Sequence, residues 1–249
     1  MAEKHFYEQQ RFTNSYLLPY LKENIPDFED KKILEIGCGE AGFLDVVTGM
    51  GLQAVGLELE ASRVEIARQK NPQLQILVGD ISSEQDVSRF SQSFDLIIMR
   101  DVIEHVPKRD AAFANINRLL NDGGYLYITF PPRFSGFAGH QQNGKSALKY
   151  IPYLQLLPEF ALKFLQKVFK EKPELIRAVL NNYDIGLTIR AFKKHYRKQN
   201  FKPVKQELFL FRPIYKIRFG VPTIKFPPVP LLQEFLAFGC EYLLMKKEK

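Results

Sequence analysis

The chain has 249 residues, 45% of them hydrophobic and 25% charged, with 15 Gly and 15 Pro, which excludes a disordered or fibrous protein and suits one large domain or a core with insertions. Its net charge of +7 is unevenly divided: residues 1–130 carry 13 basic and 20 acidic side chains, net −7, and residues 131–249 carry 22 and 8, net +14. The second half is therefore expected to meet something anionic or to be a solvated basic surface; two distant cysteines, an absence of long apolar runs and a charged N-terminus suggest a cytoplasmic chain without disulfides, metal-binding cysteine pairs or a transmembrane helix.

From residue 32 the sequence alternates short apolar runs with helical stretches. The runs are 32–36 (KILEI), 53–57 (QAVGL), 74–78 (LQILV), 94–99 (FDLIIM) and 124–130 (GYLYITF). Runs of five to seven mostly apolar residues suit strands buried on both faces of a parallel sheet. Helices are expected over 41–50, 61–70 and 108–120, the last stopped by the turn signal 121–124 (NDGG). This rhythm predicts a doubly wound α/β sheet, mostly parallel. After Pro131-Pro132 a loop is expected over 133–144, then helical stretches over 154–169, from 173, and over 187–198. Residues 204–211 and 238–245 read as two closing strands that form an antiparallel edge, bringing the sheet to seven strands. The expected division is a core of about 30–131 plus 187–211 and 233–249, a helical insertion over 132–186, and a Pro-rich loop over 212–232 without a helix.

The first strand runs into Glu35-Ile36-Gly37-Cys38-Gly39-Glu40-Ala41-Gly42. Glycines here let a ligand approach the backbone, and the following helix offers unpaired N–H groups. Glu58, at the end of the second strand, is a two-oxygen acceptor suited to a ribose diol. By spacing alone, Gly37, Gly39 and Gly42 also satisfy a dinucleotide fingerprint.

With three further segments in order, Val55–Leu59, Gly79-Asp80-Ile81 and Phe94–Val106, the chain resembles the class I S-adenosylmethionine-dependent methyltransferases, most closely their small-molecule members. The resemblance covers about residues 30–131 and implies a seven-stranded Rossmann-like methyltransferase fold. It implies that Glu35, Gly37, Cys38, Gly39 and Gly42 form the cofactor loop and that Glu58 holds the ribose. By the same likeness Leu59 lines the adenine, Asp80 and the Ile81 backbone read its amino edge, and Arg100, Asp101 and Val102 lie beneath the sulfonium. Arg100 departs from the small or polar residues common there. Arg11, with Tyr7 on an N-terminal helix, is a candidate for the cofactor carboxylate. His140, in the loop past the fifth strand, and His105, in Glu104-His105-Val106-Pro107, are the candidate bases. Asp95 reads as structural.

The expected reaction is in-line methyl transfer from S-adenosylmethionine, leaving S-adenosylhomocysteine, to a small molecule, anionic or lipid- or glycan-linked, with no metal. A nucleic-acid methyltransferase is a weaker alternative, because the Asn/Asp-Pro-Pro-aromatic signature is missing after the fourth strand. A non-catalytic cofactor binder stays open. An NAD-linked oxidoreductase explains neither Glu35 nor an antiparallel final strand. The 160–170 helix sets Lys163, Lys167 and Lys170 on one face, suited to a lid that rests on anionic lipid.

Overall fold

In the computed structural model, which describes residues 2–248, an eight-stranded sheet lies between two helical layers. The chain enters through α1 (Ala2–Phe12), a π turn (Thr13–Leu17) and α2 (Leu18–Asn24). The π turn stands directly ahead of Pro19, whose ring and missing N–H do not fit an unbroken α ladder. β1 (Ile33–Ile36), α3 (Gly42–Gly49), β2 (Ala54–Glu58), α4 (Ala61–Lys70) and β3 (Ile76–Val78) follow. Then come α5 (Glu84–Val87), β4 (Phe94–Arg100), α6 (Arg109–Leu119) and β5 (Leu120–Phe130). These five strands are parallel in the order β3-β2-β1-β4-β5. Leu17, Phe28, Phe43 and Leu44 pack one face of the sheet, and Phe113, Ile116, Phe192 and Tyr196 pack the other. That two-sided cover is why the strands read as apolar runs.

The stop signal at 121–124 does not separate α6 from β5. Leu120 pairs with Phe94 and Tyr125 with Leu96, so the four residues between bulge out of the strand, with Gly123 at φ +74°. Asp95 ties this bulge down, accepting from the Asn121 side chain and from the Lys32 N–H. Past β5 the chain makes short 3-10 turns and then α7 (Glu159–Val168), α8 (Pro173–Ile185) and α9 (Ile189–Lys198). Leu148, Leu154, Leu162, Leu175, Ile176 and Val179 form a small core of their own there.

The closing region differs from expectation. Between β6 (Phe201–Phe211) and β8 (Gly239–Lys246) lie α10 (Pro213–Phe219), the two-residue β7 (Ile224–Lys225) and α11 (Leu232–Leu236). The sheet thus has eight strands rather than seven, and the Pro-rich stretch contains helix. Proline stabilises the first turn of α10, where no N–H is needed, and Gly220 closes it in the left-handed region. β8 inserts antiparallel between β5 and β6. Arg100, Thr129, Glu241 and Glu207 consequently stand in one cross-strand row at the carboxyl edge of the parallel strands. Among the described residues, no helix is long and apolar enough to cross a membrane.

Gly42 sets the seat of α1 on α3. A Cβ there would stand 2.4 Å from the Phe6 carbonyl and 2.7 Å from Gln9 Cβ, whereas a Cβ at Gly49 meets nothing within 4 Å. Gly42→Ala is expected to lower stability by about 1–3 kcal/mol, as overpacking against a fixed helix does. Urea unfolding of Gly42→Ala and Gly49→Ala side by side checks this; equal losses would remove the argument.

Candidate active site

A cavity of about 490 Å³ opens at the carboxyl ends of β1, β4 and β5. This is the crevice where open α/β sheets bind ligands. Its floor is Gly37, Arg100, Asp101, Val102, Thr129 and Glu241. α1 contributes His5, Glu8, Gln9 and Phe12, and α10 with its flanks contributes Arg212, Tyr215 and Arg218.

Gly37 and Gly39 both take positive φ, +67° and +58°. A side chain at Gly37 would collide with Val102, since a Cβ falls 2.3 Å from Val102 Cγ2. Glu58 is buried beneath this turn. Its Oε2 accepts from the Gly39 N–H at 2.7 Å and its Oε1 from the Glu60 N–H at 3.0 Å. The Gln9 amide lies across the turn, donating to the Cys38 carbonyl and accepting from the Gly42 N–H. Beside it Arg63 and His5 both bind Glu40; burial alone would raise that carboxyl, and the two partners hold it down to about 2.

Glu35 and Arg100 form a buried ion pair, Arg100 Nη2 to Glu35 Oε1 at 2.6 Å, with side chains only 2% and 15% exposed. The Arg100 guanidinium also lies over the rings of Phe12 and Phe43 at 5.9 and 5.6 Å. Burial pushes the Glu35 carboxyl up to about 6 in spite of Arg100. One oxygen of Glu35 and the Nε of Arg100 are buried without a hydrogen-bond partner.

Asp101, held at φ +54°, accepts from Arg212 Nη2 on both oxygens (2.5 and 2.7 Å) and from the Thr129 hydroxyl. Its recess alone would raise the carboxyl; Arg212 and Thr129 outweigh that and hold it below the usual carboxylate range. Gly239 lets the Arg212 stem pass, since a Cβ there would sit 2.6 Å from Arg212 Cδ. Behind Asp101, Glu104 is buried with neither carboxylate oxygen hydrogen-bonded, and burial followed by the Asp101 charge pushes it well up. His105 and His140 meet edge to face, with ring centroids 4.8 Å apart. Burial and the neighbouring His105 push His140 down to about 4. Donor atoms of Glu104, His105 and His140 all lie within 4.8 Å of one another. At neutral pH His140 therefore presents a neutral imidazole to the cavity.

Gly37, Arg100, Asp101, Val102, His105 and His140 line the cavity; Glu35 is tied to the lining Arg100, Glu58 to the glycine turn through Gly39, and Gly42 lies against α1. Cys38 is buried, its sulfur packed against Gly56 rather than facing the cavity. Leu59 is 66% exposed and Ile81 is buried, its carbonyl taken by the Asn115 amide. The Asp80 carboxylate accepts from the Ser82 N–H within its own turn. Arg11 is exposed and lies outside the cavity lining, because α1 presents positions 5, 8, 9 and 12 to the cavity, as helical spacing requires. Arg212, Tyr215 and Arg218 have no signal in the sequence, since they sit in the stretch without evident periodicity.

A family model described as a methyltransferase domain matches residues 6–172. A ubiquinone biosynthesis O-methyltransferase of Glaesserella parasuis serovar 5 is 28% identical over 122 residues, 47% of this chain and 52% of that protein. One of Pseudomonas aeruginosa (strain LESB58) is 28% identical over 183 residues, 68% of this chain and 73% of that protein. The chain spans about half the length of the first curated relatives it matches. Among solved structures, a SAM-dependent methyltransferase from Thermotoga maritima superposes with TM-score 0.56 at 18% identity, covering 98% of this chain and 94% of its own. At that identity the likeness is one of fold.

Proposed function

We propose, from the premise that this chain belongs to the methyltransferase domain family, that it transfers the methyl group of S-adenosylmethionine to a hydroxyl of a small, uncharged acceptor. The observation that carries the reading is that one cavity joins a glycine turn backed by two acidic side chains to a His105–His140 pair. The residues fit the cofactor. Glu58 keeps free lone pairs for a ribose diol, and the unpartnered Glu35 oxygen and Arg100 Nε supply an acceptor and a donor for an amino-acid end. The cavity volume suits a ligand of that size.

When bound, the cofactor supplies an electrophilic methyl group, so no covalent enzyme intermediate is needed. The chain's own work is alignment, exclusion of water and removal of one proton. His140, neutral at pH 7, takes the acceptor's proton as the new oxygen–carbon bond forms. Asp101 favours the resulting imidazolium. An uncharged acceptor follows from the pairing of cations: Arg63, Arg100, Arg212 and Arg218 are held by Glu40, Glu35, Asp101 and Glu8. The second half's two cavity arginines, Arg212 and Arg218, are neutralised by carboxylates of the first half. Oxygen methylation is also the reaction named for the ubiquinone relatives.

Incubation with methyl-labelled cofactor and fractionated cell extract, followed by identification of the labelled compound, tests this. A labelled uncharged ether is expected; tight cofactor binding with no labelled product would sink the enzyme reading in favour of a non-catalytic one. With the acceptor in hand, His140→Gln should lower kcat about hundredfold with little change in the acceptor's KM. Parent activity should fall only as pH approaches about 4, where His140 protonates.

A further inference from the structure

α7 carries two apolar faces. Leu162 and Leu165 point into the small core of the insertion. On the opposite side Phe160, Phe164 and Val168, at spacings of four, are 76%, 65% and 57% exposed. A helix on a water-facing surface normally turns polar residues outward. Lys163 and Lys167 flank this ridge, both exposed, Lys163 in an exposed pair with Glu159 at 2.7 Å that water and salt screen. Across residues 145–172 six lysines accompany only two glutamates, and Glu171 is spent accepting the Lys145 and Ser146 N–H groups. A second exposed apolar group, Leu231, Leu232 and Phe235 at α11, is fastened to the same insertion. Tyr153 donates to the Phe235 carbonyl, and Phe134 stacks on the Phe235 ring at 5.4 Å.

We propose that the Phe160–Phe164–Val168 ridge, with Lys163 and Lys167 beside it, seats the protein on a bilayer bearing anionic headgroups. Phenyl rings enter the boundary between headgroups and acyl chains while the lysines reach the phosphates. The pairing of apolar ridge and flanking cations selects this occupant. A nucleic acid would use the cations and leave the phenyl rings in water, and a second copy would place like-charged lysine rows against each other. The proposal concerns a surface and stands apart from the methyl-transfer reading, so the test uses no turnover.

Co-sedimentation of the full chain with vesicles of phosphatidylcholine plus phosphatidylglycerol, and with phosphatidylcholine alone, checks it. The protein is expected to pellet with the anionic vesicles and much less with the neutral ones. Phe160→Ser with Phe164→Ser should cut partitioning by about tenfold or more. Lys163→Gln and Lys167→Gln should each cut it about fivefold. All four positions are exposed, and an unchanged urea midpoint confirms that the fold is intact; if the double variant loses stability, Phe164→Ser alone serves, with about a threefold loss expected. Failure of the parent to pellet, equal pelleting with neutral vesicles, or anionic binding that survives the phenylalanine changes would overturn the proposal. So would light scattering that shows a dimer broken by Phe160→Ser with Phe164→Ser, which would assign the ridge to a second copy.

Discussion

Glu58→Ala is expected to weaken binding of S-adenosylhomocysteine by about a thousandfold. The carboxylate ends β2 directly under the glycine turn, and each of its oxygens already accepts one backbone N–H, from Gly39 and from Glu60. Each oxygen keeps a further lone pair, so the group can hold two ribose hydroxyls without giving up the turn. A hydrogen bond to a charged group contributes about 1.5–3 kcal/mol, and two at about 2 kcal/mol each correspond to a factor of about 10³ in Kd. Alanine also frees the Gly39 N–H, which loosens a turn that depends on two residues at positive φ. Glu58→Gln keeps the volume but replaces one acceptor by a donor, so an intermediate loss is expected. Titration calorimetry with S-adenosylhomocysteine measures this, and NAD titrated into the parent should give no saturable heat. A Kd for Glu58→Ala within threefold of the parent would remove Glu58 from the ribose site.

The parts legible in the sequence are those fixed by local chemistry. Apolar runs of strand length placed β1 to β5, and the spacing of Glu35, Gly37 and Gly39 placed the turn beneath the cavity. What stayed hidden depends on contacts between distant positions. Arg212 reaches Asp101 across 111 residues, and Tyr16 reaches Glu241 across 225. Neither end of such a pair carries a pattern of its own. Glu241 shows the cost of reading a strand alone. It interrupts an apolar run in β8, yet the structure buries it against the Tyr16 and Tyr127 hydroxyls, and burial pushes it up to about 7. The charge asymmetry was legible as a number but not as a location: the arginines that line the cavity, Arg63, Arg100, Arg212 and Arg218, are each paired with a carboxylate. Arg11 lies outside the cavity lining for a smaller reason: α1 presents positions 5, 8, 9 and 12, and position 11 falls one residue off that stripe.

Arg100→Met is expected to cost about 2–3 kcal/mol of stability at pH 8 and much less at pH 5. Methionine keeps the apolar contact with Phe12 and Phe43, so the loss is chiefly that of the cation paired with Glu35. The sign follows from Glu35. In the parent its pKa is raised by burial to about 6, above the ordinary carboxylate value, so the stability tied to its neutral form is complete at low pH and is lost as pH rises through about 6. Without Arg100 the folded-state pKa rises further, and the loss continues over a wider span of pH. Parent and variant therefore converge near pH 5, where Glu35 is neutral in both folded states, and diverge by up to ~1.4 kcal/mol per pH unit above pH 6. Urea unfolding at pH 5 and pH 8 reads the difference directly. An equal deficit at both pH values would mean that lost packing, not an uncompensated carboxylate, is the cause. Adding Glu35→Gln separates the two causes: the double variant should show a flat profile and regain most of the pH 8 loss, because neither charge then remains beneath the glycine turn.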